Sequence, residues 1–382
     1  MKKHLMIATG LAVLSTSAFA SKARINALGG TTSLLFVNDQ RSAFVNPAAI
    51  NMNNNYMTVE TGGAGGVNPE AGIFRDAGSF KYGLYFNNKE SLGTDPAAVN
   101  GVDVGQTHVQ SEVNSADLFF GGDMGVQWGA RVHYASVSDK DTVAGPYDAD
   151  DTYSGMGLSL GMVMGDIAAY ANLSLTDEYE TSTSANDSTK VTNGGMQIGA
   201  SYGMGNWTFF FDMDNADGEY VVTTSGTAAA ADTYENKTMT IGAGHTMEIS
   251  STARMYTSIA YKSNTKTAVD ASASNQTGEV KTTTTPVTVA FEADANSWLT
   301  MRAFASQSIF GGTEATDSAA PTTVNESNGT SSTNYGVGAT LNFGKLKIDG
   351  IVSTPTENAD AGDSDTLAVD SLMTNVSATY HF

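Results

Sequence analysis

The residues able to do chemistry in this chain are few, and most share one placement. Beyond the first twenty residues there are four histidines, His108, His133, His245 and His381, and no cysteine at all. No Ser/His/Asp set stands at a spacing that builds a nucleophile and its base. Neither an enzyme nor a cofactor is expected. The acidic runs Asp139–Asp151 and Glu357–Asp365 offer oxygen ligands, but neither has the spacing of a calcium loop. They read as solvated loops, so no metal is expected. What remains is a charged set: Lys81, Arg131, His133, Arg254, Lys262, Arg302 and Lys347, with Asp212, Glu292 and Asp349. Most of the basic members lie close to short turns. Lys81, Arg131, Arg254, Arg302 and Lys347 form either a positive ring near the periplasmic mouth of a pore, where charged rings set ion selectivity, or ion pairs with Asp349, Glu292, Glu60 or the N-terminal segment.

The elements that carry these charges repeat every two residues. In Ser154–Asp177, Met156, Leu158, Leu160, Met162 and Met164 share one parity, and Gly155, Gly157, Ser159 and Gly161 the other. A Gly-Asp turn follows, and Ile167, Ala169, Ala171, Leu173 and Leu175 form the next apolar row. The same alternation marks 126–134, 196–214, 254–262, 287–306 and 335–343. Neighbouring side chains of a strand point to opposite faces, so each strand has one apolar face and one polar or small face. All ten charged residues named above fall on the polar or small face.

Short connections, near Asp123–Gly125, Gly165–Asp166, Gly203–Asn206, Glu248–Ser251, Asp294–Ser297 and Gly344–Lys345, alternate with long polar segments. The long ones are expected as loops over Asn88–Asn114, Ser138–Asp151, Glu178–Lys190, Asn215–Ala231, Asn264–Lys281, Gly311–Thr330 and Pro355–Thr366. Short turns at one end and long loops at the other describe a transmembrane β-barrel. Glycines on the polar face suit a lumen that leaves room better than a surface facing bulk water. An apolar face turned to lipid completes the pattern, because only helices and closed barrels cross hydrocarbon. The predicted fold is all-β: an antiparallel up-and-down transmembrane barrel of about 16 strands. The first three strands are the weakest, and a count of 14 stays open.

The predicted domains are a signal peptide over 1–20, an N-terminal segment over 21–53 and a barrel over 54–382. The leader shows Lys2-Lys3, an apolar run from Leu5 to about Leu14, and Ala18-Phe19-Ala20. Its destination is the bacterial outer membrane by way of the periplasm. A formal net charge of -21 excludes a nucleic-acid partner. Outward aromatics near strand ends, among them Trp128, Tyr134, Trp207, Tyr261, Tyr335 and Phe343, suit interfacial girdles.

Residues 21–53 do not alternate. Leu28-Gly29-Gly30, then Asp39 and Arg41, then Asn46-Pro47-Ala48, together resemble the N-terminal region of FadL-type outer-membrane transporters. The resemblance covers this segment and the terminal Phe382. It implies a plug inside the barrel and passive uptake of hydrophobic compounds. Asp39 and Arg41 are expected to anchor the segment to lumenal charges; a short periplasmic arm is the alternative. Tyr380 and Phe382 close an alternating strand and resemble the signal read by the barrel-assembly machinery.

The lumenal parity is mostly Gly, Ser, Thr and Asn, with Tyr85, Tyr170, Phe210, Tyr256, Phe304 and Ile351 as its only sizeable apolar members. The leading expectation is therefore a porin-like channel for passive diffusion of small solutes. FadL-type transport of hydrophobic compounds such as long-chain fatty acids is the alternative. A surface barrel whose loops bind a partner is the second. The expected partners are outer-membrane lipid and lipopolysaccharide, the assembly machinery and small-molecule solutes, with a homo-oligomer left open.

Overall fold

The computed structural model describes residues 21–30, 34–37, 39–62, 69–88, 114–141, 149–184, 186–271, 276–317, 325–328, 333–352 and 372–382. The expected leader, His108, the run 357–365 and the middle of the run 139–151 lie outside them. Among the described residues one antiparallel sheet of eighteen hydrogen-bonded segments closes on itself. Two of these, Thr227–Ala228 and Asn325–Asn328, are short ribbons that prolong neighbouring strands at the long-loop end. The other sixteen are the wall. They are β1 Tyr56–Gly62, β2 Glu70–Asp76, β3 Lys81–Phe86, β4 Ser115–Asp123, β5 Gln127–Asp141, β6 Ala149–Met164, β7 Ile167–Ser184 and β8 Asp187–Met204. There follow β9 Trp207–Thr224, β10 Asp232–Ser250, β11 Ala253–Asp270, β12 Gln276–Asn296, β13 Leu299–Asp317, β14 Thr333–Phe343, β15 Leu346–Val352 and β16 Leu372–His381. The seam pairs β1 with β16 from Tyr56 opposite His381 to Gly62 opposite Asn375. An even count brings both ends of the wall to the short-turn rim. These turns are tight because the chain reverses within two or three residues; Gly165, at φ 59°, supplies the left-handed backbone for one of them.

The strands are longer than expected. Glu178–Lys190 and Asn215–Ala231, expected as loops, are largely strand, as is most of Asn264–Lys281. β7, β8 and β9 each run 18 residues and β12 runs 21, where about 9–11 residues suffice to cross a bilayer. The excess stands beyond the membrane at the long-loop end. There both faces meet water, so the strands keep a Thr- and Ser-rich composition, and apolar alternation no longer marks them. A bulge opposite Met156 and Gly157 adds Leu175 to β7. Above it the parity flips, and Asp177 and Tyr179 turn inward.

Between those levels the parity rule holds. Met156, Leu160 and Met164 face outward, Leu160 with half its surface exposed at 50%, while Gly155 and Ser159 are buried inside. Outward aromatics mark two levels. Trp207, Trp298, Phe343 and Tyr380 lie by the short turns; Tyr134, Tyr261 and Tyr335 lie higher. Tyr335 and Phe343 are eight positions apart on β14, about 26 Å of strand. Tilt reduces that to a belt close to the apolar band of outer-membrane barrels. Among the described residues no helix is long and apolar enough to cross a membrane; the strands do it.

The segment before β1 folds inside the wall. It holds α1 (Lys22–Ala27), α2 (Ser42–Val45) and a 3-10 helix, Pro47–Asn51. α1 packs on β13–β16, and the 3-10 helix on β3–β6. Ala23, Ile25, Leu28, Ala48 and Ile50 are fully or almost fully buried.

Candidate functional site

The segment inside the lumen is built from short local caps. Ser21 accepts a hydrogen bond from the Arg24 N–H at 3.2 Å and starts α1. Gly29 ends it at φ 87°, and the Gly30 N–H donates to the Ile25 carbonyl at 3.0 Å. The Asp39 carboxylate accepts from the Ser42 N–H at 2.9 Å and holds the turn into α2. Asn46 accepts from the Ala48 N–H at 3.1 Å, with Pro47 fixing the first position of the 3-10 helix. The spacing of Asp39 and Asn46-Pro47-Ala48 is thus the spacing of two consecutive helix starts.

Three charge clusters tie this segment to the wall. Arg24 donates to Glu292 through Nε at 2.8 Å and Nη2 at 3.1 Å. Glu292 also accepts from Arg302 at 2.5 Å, and Arg302 continues to Thr340 at 2.5 Å and Asp349 at 3.4 Å. On the facing wall Arg41 donates to Glu60 at 3.2 Å, to the Tyr85 hydroxyl at 3.2 Å and to Asn88 at 3.3 Å, and stacks over Phe44. Lys22 pairs with Glu70 in the same cluster, and Tyr85 donates to Glu60 at 2.6 Å. Third, Arg131 donates to Asp117 at 2.8 Å and to the Phe44 carbonyl at 3.0 Å, while His133 shares Asp117 at 2.8 Å. Breaking a buried pair by removing one partner typically costs about 3–5 kcal/mol; in the first two clusters that pair joins segment to wall, and in the third it lies within the wall and reaches the segment only through the Phe44 carbonyl. Asp39 makes no such pair. It is fully buried, its Oδ2 has no hydrogen-bond partner among the described residues, and burial pushes its carboxyl up to about 6.

Many glycines of the lumenal row are filled rather than empty, in two ways, while Gly203 keeps room for a Cβ beside it. A Cβ at Gly129 would overlap the Pro47 carbonyl group, and one at Gly161 the Asn46 side chain. Gly121, Gly244 and Gly338 likewise admit Ile50, Phe36 and Ala27. Elsewhere a neighbouring strand's aromatic ring lies over the glycine: Tyr85 over Gly72, Tyr170 over Gly199, Phe210 over Gly242. The apolar lumenal residues singled out by parity are mostly consumed in the same way. Tyr85 meets Phe44, Phe210 stacks with Phe36, and Tyr256 and Phe304 pack with Leu28, Leu34 and Phe36. Sequence reading missed Tyr56, Phe74 and Phe119, which join Phe44 and Tyr85 in one aromatic cluster. They lie on β1, β2 and β4, where alternation is weakest.

The expected positive ring is therefore a set of ion pairs. Besides Arg131 and Arg302, Lys81 pairs with Asp76 at 2.7 Å and Arg254 approaches Glu248 at 4.0 Å. Lys347 is half-buried with Asp349, Arg302, Arg24 and Glu292 as its electrostatic neighbours. Asp212 lies apart on β9, accepting from Tyr170 at 2.5 Å and Gln197 at 3.0 Å. Lys262 lies two strands from it on β11, and both register with Thr240.

Above the segment the lumen opens into a vestibule with two unlike walls. Between β10 and β14 a cavity of about 570 Å³ is lined by Asn236, Lys262, Asn264, Lys266, Thr282 and Thr284 among others. On the β5–β8 side Ala135, Tyr153, Tyr179 and Val191 form a small apolar cluster, with Val137 and Tyr220 against it. At the seam the Phe382 N–H donates to the Asn55 carbonyl at 3.1 Å; its ring lies beside Tyr380 and under Arg75.

No family model matches the sequence, and no curated protein matches it. Among solved structures, OmpT, an outer membrane protein of Vibrio cholerae, is 11% identical, with 86% of this chain and 95% of that one covered and a TM-score of 0.37. The Pseudomonas putida toluene transporter TodX is 12% identical over 95% of this chain and 97% of its own, at 0.34. The FrpB iron transporter from Neisseria meningitidis is 12% identical over 78% of this chain and 60% of its own, at 0.38. Overlaps this loose assign no function.

Proposed function

We propose that this chain is an outer-membrane channel through which small polar solutes diffuse passively, with residues 21–53 acting as a plug. The observation that carries this reading is the distribution of lumenal surface. The large apolar residues of the lower lumen are buried against the N-terminal segment, and the cavity above it is lined mostly by hydroxyls, amides and ammonium groups. A conduit for fatty molecules would keep its apolar side chains free for the solute.

The passage we favour runs along β7 and β8. The helical contacts of the plug fall on β3–β6 and β13–β16, and the lumenal residues Ala168, Gln197, Ser201 and Gly203 of β7 and β8 are only half-buried. Transport of hydrophobic compounds is the second reading, supported by the apolar cluster around Tyr153 and Tyr179.

Planar-bilayer recording tests both. The full chain is expected to give a small ohmic conductance, and a variant lacking 21–53 a larger one. If both variants stay silent while fatty acid co-purifies in the lumen, the channel reading fails and the second stands.

A further inference from the structure

The cavity above the plug has the makings of a specific binding site. Its lining is rich in groups that both give and accept hydrogen bonds, and no carboxylate lies among them. Several are already oriented: Asn264 donates to Asn236 at 2.6 Å and to Thr238 at 2.8 Å. Lys262 and Lys266 project into it from the inward parity of β11, flanking Asn264. Neither makes an ion pair within 4.0 Å among the described residues, which sets them apart from the lysines and arginines lower in the lumen. Two ammonium groups held beyond ion-pair distance of any described carboxylate, Lys262 with Asp212 and Asp214 as its more distant electrostatic neighbours, are a local reversal of field in a chain of net charge -21, and lysine binds phosphate as a point charge.

The backbone shapes the same place. At Thr284/Pro286 the ladder between β12 and β13 slips by one residue, because proline cannot donate to it. Pro286 and Val280 give the recess two apolar contacts. One rung nearer the short turns, Gly29 of the plug lies against Phe304 and Thr288 and closes the floor. Two strands away Asp212 and Asp214 hold negative charge, about 10 Å from Lys262 across the wall. An anion in the recess is thus drawn to one side of the vestibule and held off the other. The volume falls within the range of small-molecule sites, about 300–1,000 Å³.

We propose that the recess between β10 and β14, above the plug, binds a small anionic carbohydrate, with Lys262 and Lys266 holding its negative group and the Asn and Thr side chains its hydroxyls. The inference names the solute class for the channel proposed above, and as a statement about transport it rests on that reading; as a statement about binding it does not.

Isothermal titration of the folded barrel in detergent tests it, with glucose 6-phosphate, glucose and inorganic phosphate as probes. Glucose 6-phosphate is expected to bind at least tenfold more tightly than either fragment. The K262Q/K266Q double variant should lose at least tenfold in affinity. Lys281→Gln removes a charge from the outward parity of β12 and should leave affinity unchanged. Equal binding of glucose and its phosphate, an unaffected double variant, or an equal loss in Lys281→Gln each overturns the site. Conductance without binding removes the site and leaves the channel; binding without conductance removes the channel and leaves the site.

Discussion

At the scale of single residues, Glu292 is the node on which one side of the plug hangs. It joins Arg24, from the segment, to Arg302, from the wall. Glu292→Gln leaves two buried guanidinium groups facing each other without their shared counter-charge. A loss of about 3–5 kcal/mol in plug seating is expected. Arg24→Ala keeps the Glu292–Arg302 pair and should cost less. Trypsin cleavage after Arg41 in the folded barrel, a site both variants keep, measures both. Asp39 makes the opposite contribution. Its carboxyl is raised from an ordinary 3.8 to about 6 by burial, so it binds a proton more readily seated than free. Its favourable share is complete below about pH 4 and is lost as pH rises through 6. Plug seating is therefore expected to weaken between pH 4 and 7, and Asp39→Asn, which keeps an acceptor for the Ser42 N–H, should flatten that dependence. A protease-protection profile against pH reads it directly.

At the scale of elements, strands were legible in the sequence where a lipid-facing row opposes a polar or small one, because that contrast has a period of two; it fades on β1, β2 and β4, where Tyr56, Phe74 and Phe119 make the inner face apolar too. It fails beyond the membrane, where the residues expected as the loops Glu178–Lys190 and Asn215–Ala231 still pair as strands. Their composition reflects water on both sides, not the absence of hydrogen bonding. The plug's caps were read for something else: Asp39, expected to anchor to lumenal charge, acts on its neighbour Ser42 instead. The charge clusters were not legible. Arg24 and Glu292 are separated by 268 positions, and which lumenal residue meets which depends on the stagger of the whole wall, which no local period encodes. The glycines that admit the segment, Gly129 and Gly161 among them, are another such case, since a glycine for space and a glycine for docking look alike in a row of letters. They give a clean test. Gly129→Val would drive a side chain into Pro47 while leaving the outward row of β5 untouched. The barrel is expected to keep its heat-modifiable migration, while trypsin cleavage after Arg41 rises at least tenfold.

At the scale of the whole molecule, the barrel is an inside-out protein: lipid meets the outward apolar rows, and the inside holds a small folded segment packed on the wall with a polar cavity above it. Leu160 lies midway along the outward row of β6. Leu160→Arg should destabilise the barrel by roughly 2–4 kcal/mol, whereas the inward Ser201→Arg should change stability little. Denaturant midpoints in lipid vesicles distinguish the two faces.

The same geometry decides where the plug can go. Its last residues join the wall at Asn55, whose carbonyl receives the Phe382 N–H and whose side chain receives that of Asp76, on the rim that bears the short turns. A segment leashed there stays rooted at the short-turn rim, the end that faces the periplasm in outer-membrane barrels. The fastening is thus at one edge of the doorway: the segment is rooted on the rim of short turns, and anything that tugs on it pulls first at Asn55.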